Sequence, residues 1–523
     1  MIQQLQTVPQ WDICIIGGGA TGLGIAVDAA SRGLKTLLVE KYDFAKGTSS
    51  RSTKLVHGGV RYLQQGNIKL VMEALKERGV LLKNAPHLVK NQAFIVPNYK
   101  WWEGPYYGVG LKVYDWMAGS LGFGPSQFLS REETLSLAPT LSVDGLRGGV
   151  LYHDGQFDDA RLAIHLAMTA ADHGAAVINY TGVEALLKTN GKVCGVALQD
   201  MLPGDTTKSN YEVKAKVVVN ATGVFTDSIL KMDDDKAEKL LTLSQGIHIV
   251  LDKEFLPSHT AILIPRTNDK RVLFAVPWHD KTIVGTTDTP ISNASAEPTA
   301  LEQEVEFVLD HIQKYLAKDP LRSDIKSVFA GLRPLVKGQT KNTAALSRDH
   351  VITISNSELI TITGGKWTTY RKMAEDVLEI AVHKAGLNET RPMVTQCKTK
   401  ELPVHGFKTN TDFSSRLYYY GSDQEAIQSL IHANRMLSEK IHPLLPFVKA
   451  EVIWAVQNEM CMTVEDFLAR RTRALFLDAR SAIESAAVVG QMMAHEMNRD
   501  ANWVDEQLNA FNEIAKNYLP NNH

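Results

Sequence analysis

At 523 residues the chain is too long for one simple core, and two or three domains are expected. Its composition, 44% hydrophobic and 22% charged, is that of an ordinary folded protein, and a formal net charge of −2 excludes a global electrostatic footprint for nucleic acid. Four scattered cysteines, Cys14, Cys194, Cys397 and Cys461, form no C-x-x-C pair, which argues against zinc, any other metal motif or a disulfide framework and suits a reducing compartment.

Met1 to Gln10 lacks the basic and apolar regions of a secretory signal, and no stretch reaches the roughly 18 apolar residues of a spanning helix. The first element is a buried strand, Asp12-Ile13-Cys14-Ile15-Ile16. Gly17-Gly18-Gly19-Ala20-Thr21-Gly22 follows at once, a G-x-G-x-x-G pattern opening a small-residue helix from Leu23 to Arg32. A second strand, Leu37-Leu38-Val39, ends in Glu40. Each part has a task in holding a dinucleotide. Gly17 permits the tight turn, Gly19 lets backbone amides approach a pyrophosphate, and Gly22 lets helix and strand pack closely. The helix N-terminus offers unpaired N–H groups and positive dipole to the phosphates. Glu40 can accept the ribose hydroxyls of an adenosine half.

Ala45 to Tyr62 is polar, glycine-containing and rich in hydroxyls, with Thr48, Ser49 and Ser50 available to a cofactor or to cap a helix. Leu70 to Lys83 reads as a helix, and Tyr99 to Trp116 is strongly aromatic. Asp158 and Asp159 offer caps for an amphipathic helix running to about His173. Strand-like alternation covers Ala175 to Gln199, and Ala215 to Val219 is a buried strand ending in the small-residue turn Asn220-Ala221-Thr222-Gly223. Gly246 to Leu251 and Val272 to Thr286 are antiparallel in character and suit a sheet roofing a substrate site. Phe329 to Pro334 and Ile360 to Thr369 carry two further glycine turns. Asp233-Asp234-Asp235 reads as a solvated loop, since the calcium-loop pattern is absent. Helices dominate after about Cys397, including Ala450 to Leu468 and Ala479 to Met497.

Taken in order, these segments resemble the FAD-dependent glycerol-3-phosphate dehydrogenases, within the larger group that includes D-amino-acid and glycine oxidases. The resemblance rests on Ile15 to Gly22, Gly47-Thr48-Ser49-Ser50, Lys54-Leu55-Val56-His57-Gly58-Gly59-Val60-Arg61-Tyr62-Leu63 and Asn220 to Gly223. It continues through Gly246-Ile247-His248, Ile283 to Asp288, Gly331-Leu332-Arg333-Pro334 and Gly364-Gly365-Lys366-Trp367-Thr368-Thr369-Tyr370-Arg371. The His-Gly-Gly-x-Arg-Tyr and Gly-Gly-Lys-x-Thr-Thr-Tyr-Arg segments are the specific ones. Arg470-Arg471-Thr472-Arg473 matches the family's helical domain more loosely. The implied fold is α/β: a Rossmann-type FAD-binding domain with an antiparallel-sheet substrate domain, as in D-amino-acid oxidase, plus a C-terminal helical domain. The expected boundaries are 1–395 and 396–523. Within the first, FAD-binding parts fall at about 10–85, 150–245 and 340–390, and substrate parts at about 86–149 and 246–339.

The implied reaction oxidises sn-glycerol 3-phosphate to dihydroxyacetone phosphate, with hydride passing from C2 to flavin N5. Such a site needs a dianion receptor, a proton acceptor and positive charge near the flavin's N1–C2=O edge. Arginine's planar fork suits phosphate, and the resemblance assigns Arg61 with Tyr62, and Arg348, to it. Arg333, held between a glycine turn and Pro334, is implied by the related amino-acid oxidases to face the substrate over the flavin, as a catalytic and substrate-binding group. Any of these arginines could instead be structural. A base titrating near neutrality favours histidine, and His248 and His57 both lie in matching segments. His57 could instead contact the flavin, and His248 could be a structural strand histidine. Lys366 is the candidate positive charge, its alternative being a solvated lysine at a helix start. FAD itself would use Gly17, Gly18, Gly19, Ala20, Thr21, Gly22, Glu40, Lys41, Thr48, Ser49, Ser50, Gly223, Gly365, Lys366 and Thr368. Thr368 or Thr369 is also placed to cap the following helix.

The resemblance implies a cytoplasmic protein attached peripherally to the inner face of the plasma membrane, passing electrons to quinone. A glycerol-3-phosphate oxidase, reoxidised by dioxygen to give hydrogen peroxide, shares the same motifs, and homodimer formation is left open. The aromatic segment from Tyr99 to Trp116 is the candidate membrane contact, with core of the substrate domain as the alternative.

Overall fold

Every side chain of the strand Trp11–Ile16 is buried, as an interior parallel strand demands. It pairs in parallel with Thr36–Val39 on one side and with Asn210–Asn220 on the other. Ala176–Ile178 and Ile360–Gly364 extend the parallel set at its two ends, and His350–Ile354 adds an antiparallel edge. Ile13 and Ile15 face a core shared with the helices Ala20–Ser31, Asp159–Asp172 and Tyr370–Lys384. Cys14 and Ile16 face the opposite core, roofed by the hairpin Thr181–Thr189 and Lys192–Asp200. The computed structural model giving this arrangement describes residues 1–59, 67–203, 208–265, 267, 271–337 and 350–520.

A second, ten-stranded sheet is antiparallel except where Ala261–Ile264 runs parallel to Val89–Asn98. Its long members are Val89–Asn98, Gly148–Phe157, Leu241–Asp252 and Ser327–Val336. The register sets His248 opposite Phe329 on one side and Gly285 on the other, with Ser244 opposite Arg333. Alternation along Leu241–Asp252 therefore aims Ser244, Gly246 and His248 at one face of the sheet.

Helix Ile68–Asn84 starts at Asn67, whose side chain accepts from the Leu70 N–H, and Asp158 caps Asp159–Asp172 in the same way. The aromatic segment becomes the helix Glu103–Ala118. Asp233 pairs with Lys188 at 2.8 Å. Toward the C-terminus, Lys449–Asn458, Ala479–Met497 and Ala501–Ala515 pack together, and one apolar core runs from Leu23 and Ile25 through Phe467, Leu475 and Val489. The helix expected over 450–468 stops at Asn458. The Asp466 carboxylate accepts the N–H groups of Met462 and Thr463, which turns the chain before a π-helical segment, Asp466–Arg471.

Candidate active site

The first glycine turn has the geometry its spacing implies. Gly17 sits at φ +112°, and a Cβ there would fall 2.7 Å from the Ala221 carbonyl. A Cβ on Gly22 would lie 1.9 Å from the Gly17 oxygen, so helix and turn touch without room for a methyl. A Cβ on Gly19 would meet Ser49 Oγ alone, at 3.1 Å, so this edge faces open space. Glu40 accepts the Gly18 N–H at 2.6 Å and the Tyr42 N–H at 2.9 Å, leaving carboxylate lone pairs over. Burial raises its pKa against the opposing effect of those two amides.

These residues open into a cavity of about 1150 Å³ that runs on to the antiparallel sheet. Gly17, Gly19, Ala20, Thr21, Glu40 and Lys41 line its nucleotide end. Among the hydroxyls, Ser49 caps the glycine helix by accepting the Ala20 N–H at 2.9 Å, and Thr48 Oγ1 donates to Leu332 O at 2.6 Å. Ser50 is buried, its carbonyl accepting from Lys54 Nζ at 2.8 Å. Gly223 (φ +58°) lines the same cavity, with no atom within 4 Å of where its Cβ would stand. The donor-rich helix start, the carboxylate of Glu40 and these unfilled glycine edges fit an extended dinucleotide such as FAD.

At the other end, Gly364 (φ +80°) and Gly365 (φ +70°) turn the chain so that Lys366 lines the cavity. Thr368 does not cap the next helix: it ties to His57, accepting the His57 N–H at 3.3 Å and donating to the His57 carbonyl at 3.4 Å. Thr369 donates to Lys366 O instead of capping. His57 is thereby held over the cavity beside Phe274.

Arg333 projects from its strand into the cavity, Nη2 donating to Thr286 Oγ1 at 3.1 Å and Nη1 lying 3.7 Å from Asp288 Oδ1. Ser244 Oγ donates to the same Asp288 oxygen. His248 is 2% exposed, stacked on Phe329 with centroids 4.9 Å apart, and its Nε2 meets Thr53 Oγ1 at 2.9 Å. Burial first, then the positive charges of Lys54 and Arg333, hold its pKa well below the ordinary imidazole range. Arg61, Tyr62 and Arg348 lie outside the described residues.

The supports of this site carry little local sequence signal. Asp288 and Thr286, which hold Arg333, lie in the Ile283 to Asp288 segment, where nothing in the spacing marks them as partners of an arginine. Lys54 is fully buried, bonded to Asp159 Oδ2 at 2.8 Å, and burial brings its pKa down to about 7 against the pull of Asp159. A lysine followed by Leu-Val is a weak signal for so deep a position.

Residues 12–371 match a family described as FAD dependent oxidoreductase, and residues 356–504 match the C-terminal domain of alpha-glycerophosphate oxidase. The mitochondrial glycerol-3-phosphate dehydrogenase of Macaca fascicularis is 41% identical over 98% of this chain and 74% of its own length. That of Schizosaccharomyces pombe is 37% identical over 99% of this chain and 88% of its own. The solved glycerol-3-phosphate dehydrogenase of Bacillus halodurans, complexed with FAD, superposes with a TM-score of 0.80 at 30% identity, covering 99% of this chain and 97% of that one. On these matches, over a fold whose two sheets share one cavity, the chain belongs to the FAD-dependent glycerol-3-phosphate dehydrogenase family.

Proposed function

We propose that this chain oxidises sn-glycerol 3-phosphate to dihydroxyacetone phosphate and passes the electrons to a membrane quinone, working peripherally on the cytoplasmic face of the plasma membrane. The observation that carries this reading is the meeting of Arg333 and His248, from paired strands, in a cavity continuous with the glycine turns. Bound FAD supplies a two-electron acceptor for the C2 hydride at flavin N5.

The chain's own residues do the rest. Gly17 to Gly22, Glu40, Lys41, Ser49, Gly223, Gly365 and Thr368 form the cofactor cradle. Arg333, steadied by Thr286 and Asp288, offers a fixed guanidinium to the substrate, and Arg61, Tyr62 and Arg348 join it on the strength of the family resemblance. Lys366, which lines the cavity after the Gly364-Gly365 turn, would supply positive charge to the flavin or to a substrate oxygen. His248 takes the hydroxyl proton. Burial first, and then the charges of Lys54 and Arg333, suppress its basicity. A phosphate dianion arriving beside Arg333 cancels part of that field, so the ring becomes a better base when substrate is in place.

The quinone reading is supported by the helix Glu103–Ala118. Its Tyr107, Gly110 and Leu111 line the cavity, the exposed Val109 and Val113 line it at its rim, and Trp116 on the same helix is exposed outside it. An apolar acceptor at that surface would stand at the cavity mouth. Among the described residues no helix is long and apolar enough to cross a membrane.

Anaerobic addition of sn-glycerol 3-phosphate should bleach the flavin absorbance of the purified protein, with free glycerol and amino acids inert. No bleaching sinks the substrate assignment. Air admitted afterwards should restore the colour slowly, and a short-chain quinone should restore it fast. Fast reoxidation by air with stoichiometric hydrogen peroxide would make the chain an oxidase.

A further inference from the structure

His248 is shut away from the solvent. Its Nδ1 is buried and has no hydrogen-bond partner among the described residues, and its ring lies flat on Phe329. The other nitrogen, Nε2, meets Thr53 Oγ1. Thr53 is half-buried and lines the cavity. His248 lines the cavity as well, but with Nδ1 buried and Nε2 taken by Thr53, a proton leaving a molecule in the cavity reaches a ring nitrogen through the Thr53 hydroxyl.

That hydroxyl is firmly held. On its N-terminal side, Ser52 N and Ser52 Oγ both donate to Asp159 Oδ2, at 3.0 and 2.7 Å. On its C-terminal side, Lys54 Nζ donates to the same oxygen at 2.8 Å and to Ser50 O at 2.8 Å. Lys54 adopts φ +63°, a conformation costly for a residue with a Cβ and retained here by that buried anchoring. One carboxylate thus holds both neighbours of Thr53, Ser52 by its N–H and hydroxyl and Lys54 by its ammonium, which keeps Oγ1 in place against Nε2.

We propose that Thr53 is the proton relay between the substrate's C2 hydroxyl and His248, an inference that rests on reading His248 as the base. Thr53 Oγ1 accepts the C2 hydroxyl proton while its own proton passes to His248 Nε2. The C2–H electron pair leaves as hydride to bound FAD. The secondary alcohol becomes a ketone, oxidised by two electrons, and FAD is reduced by two. His248 ends as imidazolium and Thr53 is restored. The resting ring must then carry its proton on Nδ1, leaving the Nε2 lone pair to accept from the Thr53 hydroxyl.

Two measurements test this. In nitrogen-15 spectra of histidine-labelled protein, assigned with His248→Gln, His248 should show a protonated Nδ1 and an unprotonated, hydrogen-bonded Nε2. Thr53→Val should shift the Nε2 signal. A resting Nε2–H form overturns the relay whatever the kinetics show. In turnover, Thr53→Val should keep FAD and KM and lower kcat about 10²–10³-fold, within the range a positioned proton-transfer group contributes, and Thr53→Ser should recover most of that loss. Thr53→Val at the wild-type rate with His248→Gln inactive overturns the relay and leaves the base. Both variants at the wild-type rate would remove the base as well. Thr53→Ser as slow as Thr53→Val assigns the residue to structure, which also overturns the proposal.

Discussion

Arg471 grips Asp43 with both arms of its guanidinium, Nη1 donating to Oδ2 at 2.6 Å and Nη2 to Oδ1 at 2.9 Å. The pair is fully buried and joins the C-terminal helical region to the loop that follows Glu40. Arg470 donates to the same Asp43 and, through Nη1, to Glu465, which also takes Lys46. Arg473 reaches Ser50 O at 2.6 Å, beneath the hydroxyl-rich loop. The cofactor site is thus braced from a region remote in sequence.

Removing one partner of such a pair strands a buried charge. Arg471→Ala should cost about 3–5 kcal/mol of stability, seen as a lower thermal midpoint with early flavin release. Burial favours protonation of Asp43, but Arg471 and Arg470 outweigh it and hold the carboxyl below its usual range. A depressed folded-state pKa contributes stability above the unfolded value of about 4 and loses it as pH falls through the folded one. The gap between wild type and Arg471→Ala should therefore be full at pH 7 and shrink below about pH 4. A gap independent of pH would mean that the loss is one of packing.

The glycines separate cofactor binding from folding. Gly19→Val adds a side chain facing the cavity, with Ser49 Oγ its near neighbour, and should give folded, colourless protein. Gly22→Val forces a Cβ into the Gly17 carbonyl and should give little folded protein at all. Gly19→Val purified with a full complement of FAD would show that the pyrophosphate lies elsewhere.

This contrast marks what is legible in the chain. The glycine turn, its flanking strands and Glu40 follow local rules of spacing, and helix Ala479–Met497 is found at the limits that its apolar periodicity implies. Apolar spacing carries the helix over 450–468 past its true end at Asn458, because that pattern does not register the Asp466 carboxylate folding back on the N–H groups of Met462 and Thr463. Asp43 and Arg471 gave no local signal, since each owes its place to a partner far along the chain. The likeness in Arg470 to Arg473 was visible, but its task was not. Thr53 was hidden for another reason: a threonine in a hydroxyl-rich loop looks like its neighbours until the fold brings His248 against it.

His405 couples a second contact to pH. It donates to Asp172 at 2.6 Å and to Asp423 at 3.0 Å, tying the segment after residue 400 to the end of helix Asp159–Asp172. Burial works against its charged form, yet the hydrogen bonds to Asp423 and Asp172 outweigh it and raise its pKa to about 9. A raised folded-state pKa contributes stability in full below the unfolded value of about 6.5, and that stability is lost as pH rises through the folded one. The thermal midpoint of His405→Gln should lie below wild type at pH 6 and meet it by about pH 10. Parallel curves across that range would remove His405 as the titrating contact.

The helix Glu103–Ala118 bears on membrane docking. Its aromatic and apolar residues divide by helical spacing: Tyr107, Leu111 and Tyr114 are buried, whereas Tyr106, Val109 and Val113 are exposed at the cavity rim and Trp116 is exposed beyond it. Trp101 and Trp116 are 77% and 83% exposed, far more than folding alone would leave for the largest apolar side chain. Trp102 is partly buried against Tyr106, so it is the poorer position to alter. Exposed Lys100 and Lys112 flank the patch, where they can meet anionic headgroups. Each tryptophan buried in the interface contributes roughly 1.5–3 kcal/mol, so Trp101→Ala with Trp116→Ala should weaken binding to anionic vesicles on the order of 10²-fold or more. Activity with a water-soluble dye should persist, because neither side chain lines the cavity. Turnover with a long-chain quinone held in vesicles should fall in step with binding. Vesicle binding unchanged in the double variant would move the membrane contact away from this helix, and lost dye activity would mean that the tryptophans support the fold instead.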